Sequence, residues 1–347
     1  MTGERRVWLD DSPGEMRGVI ADGAGFQQVL THCEGEPDQR RLEARSVGRV
    51  QRVEPNLKGA FVELVAGDGG AAFLPLKGGQ RVHIGEKVEV EVVSEARERK
   101  GVTLKLLGRG EGEPRLLARG PTVPEWLERL APGVEPIRGA PAIEAGWAAI
   151  DEAEGQPFDD DDLDVAVERT RAMVAVDFDY RPSPGRRVSP HDRLEANRRG
   201  LRLTARTLRL RSLGGLVAVD LIGVGHDGEA LMKTARAAFG PDPEIAFGPV
   251  NRFGVMMISL PWRFTPLAER LRPPAGGPEG SLQVAAREAT RRLRHALLSD
   301  TAAPHMVVRV PTAVAERAAP LVARLGPRAH VRADDSLQAG DEVLETG

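Results

Sequence analysis

The tetrapeptide Val-Ala-Val-Asp occurs twice in this chain, at residues 174–177 and again at residues 217–220. Valine is stiff at χ1 and fits a pleated surface, so each copy predicts a short buried strand. In both copies an aspartate follows the apolar residues directly, where the strand should leave the core. If the two strands are neighbours in one sheet, Asp177 and Asp220 lie side by side at its edge. Paired carboxylates of this kind hold divalent metal ions in many hydrolases, so we expect the active site of the protein at this edge of the sheet.

Asp179 adds a third carboxylate to this pair. It follows Asp177 by two residues, and side chains two apart on a strand leave the same face of the sheet. Three converging carboxylates repel one another unless a cation lies between them, and Mg²⁺ suits such a site because it prefers oxygen ligands and retains water. The pattern alone also fits three aspartates that cap turns or helices, so the residues leave both interpretations open.

From residue 166 onward, predicted strands and helices alternate, as is typical of an α/β domain. The predicted strands span 171–178, 215–222, 244–248, 254–260 and 305–310, and the predicted helices span 193–212, 228–239, 280–298 and 312–324. The helix between the repeated strands carries a basic strip flanked by apolar stripes. The strip consists of Arg198, Arg202, Arg206 and Arg209. It suits a polyphosphate backbone, and it equally fits a solvated face with salt bridges.

The first third of the chain is predicted to be rich in β-structure. Residues 5–30 contain short candidate strands, and five further strands with Gly, Pro or Asn between them are predicted before residue 108. These five span 46–53, 59–65, 70–74, 87–93 and 102–107. Five short strands in so small a segment suggest an OB-type barrel. Residues 109–165 are poorer in pattern, and we expect a linker there.

The composition excludes several classes of protein. The 347 residues have a formal net charge of −3, so there is no global basic field and nucleic-acid binding would depend on local patches. The single cysteine, Cys33, excludes an internal disulfide and a Cys-based zinc knuckle. No apolar stretch is long enough to span a membrane, and we expect a cytoplasmic protein with no membrane partner.

Three motifs, in the same order and at similar spacing, resemble the ribonuclease E/G family. Residues 206–220, R-T-L-R-L-R-S-L-G-G-L-V-A-V-D, are similar to the family's R-Q-L-R-L-R-D-L-G-G-L-I-V-I-D, which ends on a catalytic aspartate. Residues 170–179 look like its T-E-A-L-T-A-I-D-I-N, whose Asp and Asn share the metal site, and residues 251–254 are similar to its S-R-F-G. The resemblance implies that Asp177, Asp179 and Asp220 are catalytic and bind Mg²⁺.

The predicted barrel also resembles a part of that family, its S1 domain. Residues 48–62 are similar to the start of the S1 domain, and residues 72–76 correspond to its G-F-L-P-L. In the family two phenylalanines and a lysine contact RNA, and here they would be Phe61, Phe73 and Lys100. Such residues form a stacking platform with a nearby phosphate partner. Taken without the resemblance, both phenylalanines also fit ordinary core positions.

The sequence departs from the family in places that bear on function. A Pro- and Gly-rich segment at 261–280 replaces the C-P-R-C zinc-link, so we expect neither zinc nor a zinc-linked dimer. The segment between the barrel and the first catalytic strand is shorter, so the sub-domain that senses a 5′-monophosphate is expected to be lost or reduced. Asp179 stands where the family has Asn, while Gly223 and Met257 stand where the family has acids.

The expected fold is therefore of mixed α/β (α+β) type. It combines a five-stranded S1/OB-type barrel with an α/β nuclease domain that has an RNase H-like/DNase I-like catalytic core. The expected ranges are 1–40 for an N-terminal β segment that packs on the catalytic core, 41–108 for the S1 domain, 109–165 for a reduced linker and 166–347 for the catalytic domain.

The expected function is Mg²⁺-dependent cleavage of single-stranded RNA by metal-activated water. The alternative is an RNA-binding protein of the same family that has lost catalysis and acts as a regulator or a ribosome-associated factor. The lost polar residues around the aspartates favour this alternative. The three retained carboxylates oppose it, because such a group without a metal is unfavourable.

Overall fold

The computed structural model describes residues 4–65, 72–98, 100–155, 158–160, 162–183, 185, 187–223, 225, 227–272, 277–338 and 341–346. The chain divides into two compact units. Unit 1 contains residues 1–25, 29–148 and 264–347, and unit 2 contains residues 26–28 and 149–263. The fold is mixed α/β, as expected, with a closed barrel and further sheets.

A three-stranded antiparallel meander opens the chain. Its strands are β1 (Arg6–Asp10), β2 (Glu15–Asp22) and β3 (Gly25–Cys33), in that order across the sheet. The β-rich start expected at 5–30 is therefore confirmed. Residues Val7, Leu9 and Ile20 are buried in one apolar cluster of unit 1.

The predicted five-stranded barrel is present in unit 1. Its strands are β4 (Arg45–Glu54), β5 (Gly59–Glu63), β6 (Ala72–Pro75), β7 (Lys87–Ser94) and β8 (Thr103–Arg109). The order is β5-β6-β8-β7-β4, and pairing of β4 with β5 closes the sheet on itself. Alternate apolar side chains such as Val62, Leu74 and Leu104 fill the interior. This alternation follows from the two-residue period of a strand, whereas the strands were predicted from the Gly, Pro and Asn residues between them.

Residues 109–165, where the sequence pattern is weak, form five elements. They are β9 (Arg115–Ala118), α1 (Val123–Leu130), α2 (Ala140–Glu154), β10 (Phe158–Asp160) and β11 (Leu163–Arg169). Strand β9 pairs with β4. Helix α1 begins with a capping box between Thr122 and Glu125, a local signal that the sequence analysis overlooked.

Unit 2 is built on a six-stranded sheet in the order β10-β11-β12-β13-β15-β14. Its remaining elements are β12 (Val174–Tyr180), α3 (Pro190–Leu210), β13 (Gly215–Asp220), α4 (Gly228–Phe239), β14 (Ala246–Phe247) and β15 (Val255–Leu260). Strands β12 and β13 pair in parallel, with α3 as the crossover, and the other described pairings in this sheet are antiparallel. The core combines alternate strand residues with side chains of α3 and α4.

The C-terminal part of unit 1 contains α5 (Leu267–Leu271), α6 (Gly277–Ser299), β16 (Met306–Val310), α7 (Thr312–Val322), β17 (Ala329–Ala333) and β18 (Val343–Thr346). A buried ionic cluster links it to the N-terminal meander. Arg291 of α6 donates to the Asp10 carboxylate over 2.7 Å and to the Glu15 carbonyl over 3.1 Å. Among the described residues, no helix has the length and apolar character that crossing a bilayer requires.

Close packing of α3 on β12 depends on Gly200. A Cβ at this position would lie 2.5 Å from Cε2 of Phe178, which is itself buried in the core. We predict that Gly200→Ala lowers the free energy of unfolding by about 1–3 kcal/mol, because overpacking outweighs the better helix propensity of alanine. Urea unfolding measures the change.

The matched control is Gly228→Ala in the first turn of α4, where an added Cβ would meet no atom within 4 Å. In a Phe178→Leu background, Gly200→Ala should lower stability less, because the smaller side chain leaves room for the methyl group. Equal effects of the two glycine replacements would contradict this account of the packing.

Candidate metal centre

The parallel pairing of β12 and β13 brings the two repeated tetrapeptides into direct register. Val174 lies opposite Val217, and Asp177 lies opposite Asp220. Neighbouring strands are about 4.8 Å apart, so the two carboxylates are close enough to bind one cation. The prediction that these strands are neighbours is confirmed. One detail differs, since β12 continues to Tyr180, and Asp177 is the last residue of β12 that pairs with β13.

All three predicted aspartates lie on the face of the sheet opposite the core of unit 2. Asp177, Asp179 and Asp220 are exposed, whereas their neighbours Phe178 and Val219 are buried. This alternation follows from the two-residue period of a strand. The exposed face of the sheet therefore carries a row of carboxylates on β12 and β13.

A fourth carboxylate, Asp164 of β11, lies opposite Asp179. Arg181 contacts both of these side chains, at 2.6 Å from Asp164 and at 3.0 Å from Asp179. Asp179 thus has a cationic partner within unit 2, unlike the arrangement of three converging ligands that the sequence suggested. Asp164 falls in the linker that the sequence predicts at 109–165, because its strand β11 was not predicted.

The electrostatics of the pair favour a bound cation. Partial burial raises the pKa of the Asp177 carboxyl, and the negative charges of Asp220 and Asp179 raise it further. Among the described residues, no three His, Cys, Asp or Glu side chains converge in a way that could hold a metal ion. Two carboxylates plus water molecules nevertheless match the ligand set of Mg²⁺, which commonly takes one or two carboxylates and keeps several waters.

Asn197 of α3 fixes the backbone just beyond Asp220. Its side-chain oxygen accepts a hydrogen bond from the Ile222 N–H at 2.8 Å, and its side-chain nitrogen donates to the Ile222 carbonyl at 3.2 Å. Asn197 is buried, and the N–H of Leu221 donates to the Gly254 carbonyl at 3.2 Å. Asn197 was not predicted from the sequence. The feature that could have indicated it is a polar residue on the apolar stripe of α3, three residues after Leu194.

The four arginines of the predicted basic strip have different surroundings. Arg206 forms an ion pair with Glu152 at 2.6 Å, and Arg209 donates to the Ala238 carbonyl and to Gln27, both at 2.9 Å. Arg198 pairs with Glu195 one turn earlier in the helix, and Arg202 is exposed. Arg206 and Arg209 thus also hold α3 within unit 2, and RNA contacts of all four stay a prediction.

On the barrel of unit 1, Phe61 and Phe73 lie side by side. They are opposite each other on β5 and β6, with ring centroids 5.5 Å apart and planes tilted by 59°. Both rings are partly exposed, and the Arg52 guanidinium lies 4.5 Å from the Phe61 centroid. A Cβ on Gly59 would lie 2.4 Å from Cζ of Phe73, so the glycine lets that ring lie over the strand.

Lys100 lies in a short turn before β8. It is exposed, and its backbone exchanges two hydrogen bonds with Arg97, at 2.8 and 3.1 Å. The barrel therefore offers two adjacent aromatic rings, with a guanidinium stacked on one of them. Adjacent, partly exposed aromatic rings are the kind of surface on which the bases of a single strand can stack.

Comparison with known proteins adds one finding. Residues 163–260 match the family model described as the Ribonuclease E/G family. The matched interval begins at β11 and ends with β15, so it contains the three aspartates, Asn197 and the arginine strip. No curated protein matches the chain.

Removing one charge of the aspartate pair should stabilise the metal-free protein. The raised pKa of Asp177 means that its ionised form is less favourable in the folded than in the unfolded chain. That penalty is absent below the unfolded-state pKa and is fully present above the folded-state pKa, so it acts at neutral pH. We predict that Asp220→Asn raises the free energy of unfolding in EDTA at neutral pH by up to about 1 kcal/mol.

Urea unfolding in EDTA, at neutral and at strongly acidic pH, measures this gain, which should vanish in acid. Glu168→Gln is the control, because Glu168 is exposed on β11 and lies opposite the uncharged Ala175. Mg²⁺ should raise the melting temperature of the parent protein more than that of Asp220→Asn. A loss of stability for Asp220→Asn in EDTA would refute the repulsion argument.

Proposed function

We propose, from the match of residues 163–260 to the Ribonuclease E/G family model, that the chain is a Mg²⁺-dependent endoribonuclease acting on single-stranded RNA. Membership of the family implies an RNA-processing ribonuclease. The single observation that most supports cleavage here is the direct register between Asp177 and Asp220 on two parallel strands. Their carboxylates would hold Mg²⁺ on the exposed face of the sheet.

The roles of the chain's own residues follow from this geometry. When bound, Mg²⁺ supplies Lewis acidity at the scissile phosphate and lowers the pKa of the attacking water. Asp177 and Asp220 would hold the ion, and Asp179 would act as a third or water-mediated ligand. Arg181 restrains Asp179 for this role through their contact at 3.0 Å. As in the family, the products would carry a 5′-phosphate and a 3′-hydroxyl.

The remaining predicted residues would bind the strand. Phe61 and Phe73 stack on bases, and Lys100 pairs with a phosphate. In the basic strip, Arg198 and Arg202 contact the phosphate backbone, while Arg206 and Arg209 add to the positive potential from their fixed positions. The S1 and RNase H-like/DNase I-like assignments, with the domain bounds given above, belong to the same proposal.

Asp177→Asn and Asp220→Asn should each abolish cleavage while leaving RNA binding nearly intact. Loss of a metal ligand removes several kcal/mol of transition-state stabilisation, so we expect a decrease in rate of at least about a hundredfold. The assay incubates each protein with labelled single-stranded RNA in Mg²⁺ or EDTA, and separate binding measurements in EDTA give the affinity. Glu168→Gln, on the same face of the sheet, is the matched control. Equal cleavage by the aspartate variants and the parent would exclude this mechanism.

One observation favours the second candidate, an RNA-binding protein without catalysis. Among the described residues no third carboxylate converges with Asp177 and Asp220, and Asp179 is paired with Arg181. The same assay separates the candidates. Metal-dependent cutting selects the enzyme, whereas tight binding without cutting in either Mg²⁺ or EDTA selects the binding protein.

The barrel can be tested without reference to cleavage. Phe61→Leu and Phe73→Leu keep an apolar side chain but remove the π-face, and each should weaken binding of single-stranded RNA. Alanine replacements of stacking aromatics lose about 1–3 kcal/mol per base, so we expect a loss of roughly tenfold for each leucine variant. Fluorescence anisotropy in EDTA gives the dissociation constants.

The control for this test is Ile84→Ala, because Ile84 is 71% exposed in the loop before β7 and therefore reports the effect of any apolar surface change on the barrel. Thermal unfolding verifies that the barrel variants remain folded. An unchanged affinity in both phenylalanine variants would argue against the stacking platform.

A further inference from the structure

We propose that a cavity in unit 2, beside the backbone that follows Asp220, binds one unstacked base of the single-stranded RNA. The cavity has a volume of about 210 Å³. Its lining includes Pro190, His191, Arg193, Leu194, Ile222 and Asp227. This inference rests on the proposed function, because it names a substrate group that is held next to the candidate metal centre.

The cavity lies close to the carboxylates. Ile222 lies two residues beyond Asp220, and two residues of chain span at most about 7 Å. Ile222 is also the residue whose N–H and carbonyl are both bound by the buried Asn197. Asn197 also lines the cavity, so its two hydrogen bonds join the cavity wall to the backbone that follows Asp220. A nucleotide seated in the cavity would therefore lie near Asp220.

The lining has the chemistry of a base-binding site. Pro190, Leu194 and Ile222 supply apolar surface for the faces of a ring, and His191 and Arg193 bring two planar groups with hydrogen-bonding atoms. Proteins that read single-stranded RNA hold splayed bases in this manner, by stacking on His or Arg planes and by hydrogen bonds to base edges.

The glycine that follows Ile222 leaves room for the Arg193 side chain. Gly223 has a φ of 82°, and a Cβ there would lie 2.8 Å from Cδ of Arg193. The arginine side chain can therefore lie against the loop backbone only because this residue lacks a side chain.

Charge favours a base over a phosphate group as the occupant. Among the described residues of the lining, Arg193 is cationic and Asp227 is anionic. Asp227 caps α4 by accepting a hydrogen bond from the Ala230 N–H at 3.0 Å, so its carboxylate is fixed. A phosphate would meet this negative charge, whereas an uncharged base can use both donor and acceptor groups.

The volume of the cavity agrees with a single ring system as its occupant. Cavities that enclose whole drug-sized ligands have volumes of about 300–1,000 Å³, and a water molecule takes about 30 Å³ of liquid. At about 210 Å³, the cavity is too large for a few ordered waters and smaller than a site for a whole ligand. It fits one group of a longer chain whose remainder stays outside.

The test is photo-crosslinking of the full chain to single-stranded RNA oligonucleotides in EDTA, with one 4-thiouridine placed at successive positions. We expect one position to crosslink to residues 190–194 or to Ile222. His191→Ala and Leu194→Phe should reduce this crosslink at least about fivefold, while crosslinks to the barrel persist. His83→Ala, an exposed histidine before β7, is the control. Crosslinks that occur only on the barrel, or that both variants leave unchanged, would overturn the proposal.

A cleavage arm separates this inference from the proposed function. In Mg²⁺, an abasic nucleotide at the crosslinking position should slow cleavage by the parent protein, and Leu194→Phe should be insensitive to it. If the parent does not cleave RNA but the position-specific crosslink appears, the endoribonuclease proposal fails and base binding stands. If the parent cleaves RNA and no position crosslinks to the cavity, base binding fails alone.

Discussion

The parallel register between β12 and β13 is the constraint on which the candidate site depends. Because strand side chains have a period of two, a shift of one residue would move one carboxylate from the exposed face into the core. The register is secured by burial of Val174, Val176, Val217 and Val219, which lie opposite one another in the same core. The apolar residues of the repeated tetrapeptide thus position the two aspartates that follow them.

Helix α3 has three separate tasks in this arrangement. As the crossover it makes the parallel pairing possible, and Gly200 lets it approach Phe178 closely. Through Asn197 it holds the backbone after Asp220 by two hydrogen bonds. It also carries the basic strip, in which Arg206 and Arg209 have partners inside unit 2. Because Arg206 and Arg209 are engaged with unit 2, fewer arginines of the strip are available to a nucleic acid.

The proposed RNA contacts rest on two kinds of support. In unit 2 the support consists of the family match over residues 163–260 together with the geometry of the carboxylates. The barrel lies outside the matched interval, so its proposed role depends on the adjacent rings of Phe61 and Phe73 and on the Arg52 guanidinium stacked over Phe61. The resemblance to the S1 domain suggested both phenylalanines, whereas the position of the Arg52 guanidinium over Phe61 is seen only in the structure.

The sequence alone determined the features that depend on local periodicity. Short segments separated by Gly, Pro or Asn predicted the barrel strands, the repeated tetrapeptide predicted β12 and β13, and residue spacing placed Asp177 and Asp179 on one face. Only the tertiary structure decided which side chains meet across distant segments. Asp164 faces Asp179 because β11 pairs with β12, Arg181 binds both, and Asn197 reaches Ile222 from another element. Such contacts join residues with no fixed spacing along the chain, so no local pattern can encode them, and they depend on how the helices and strands pack together.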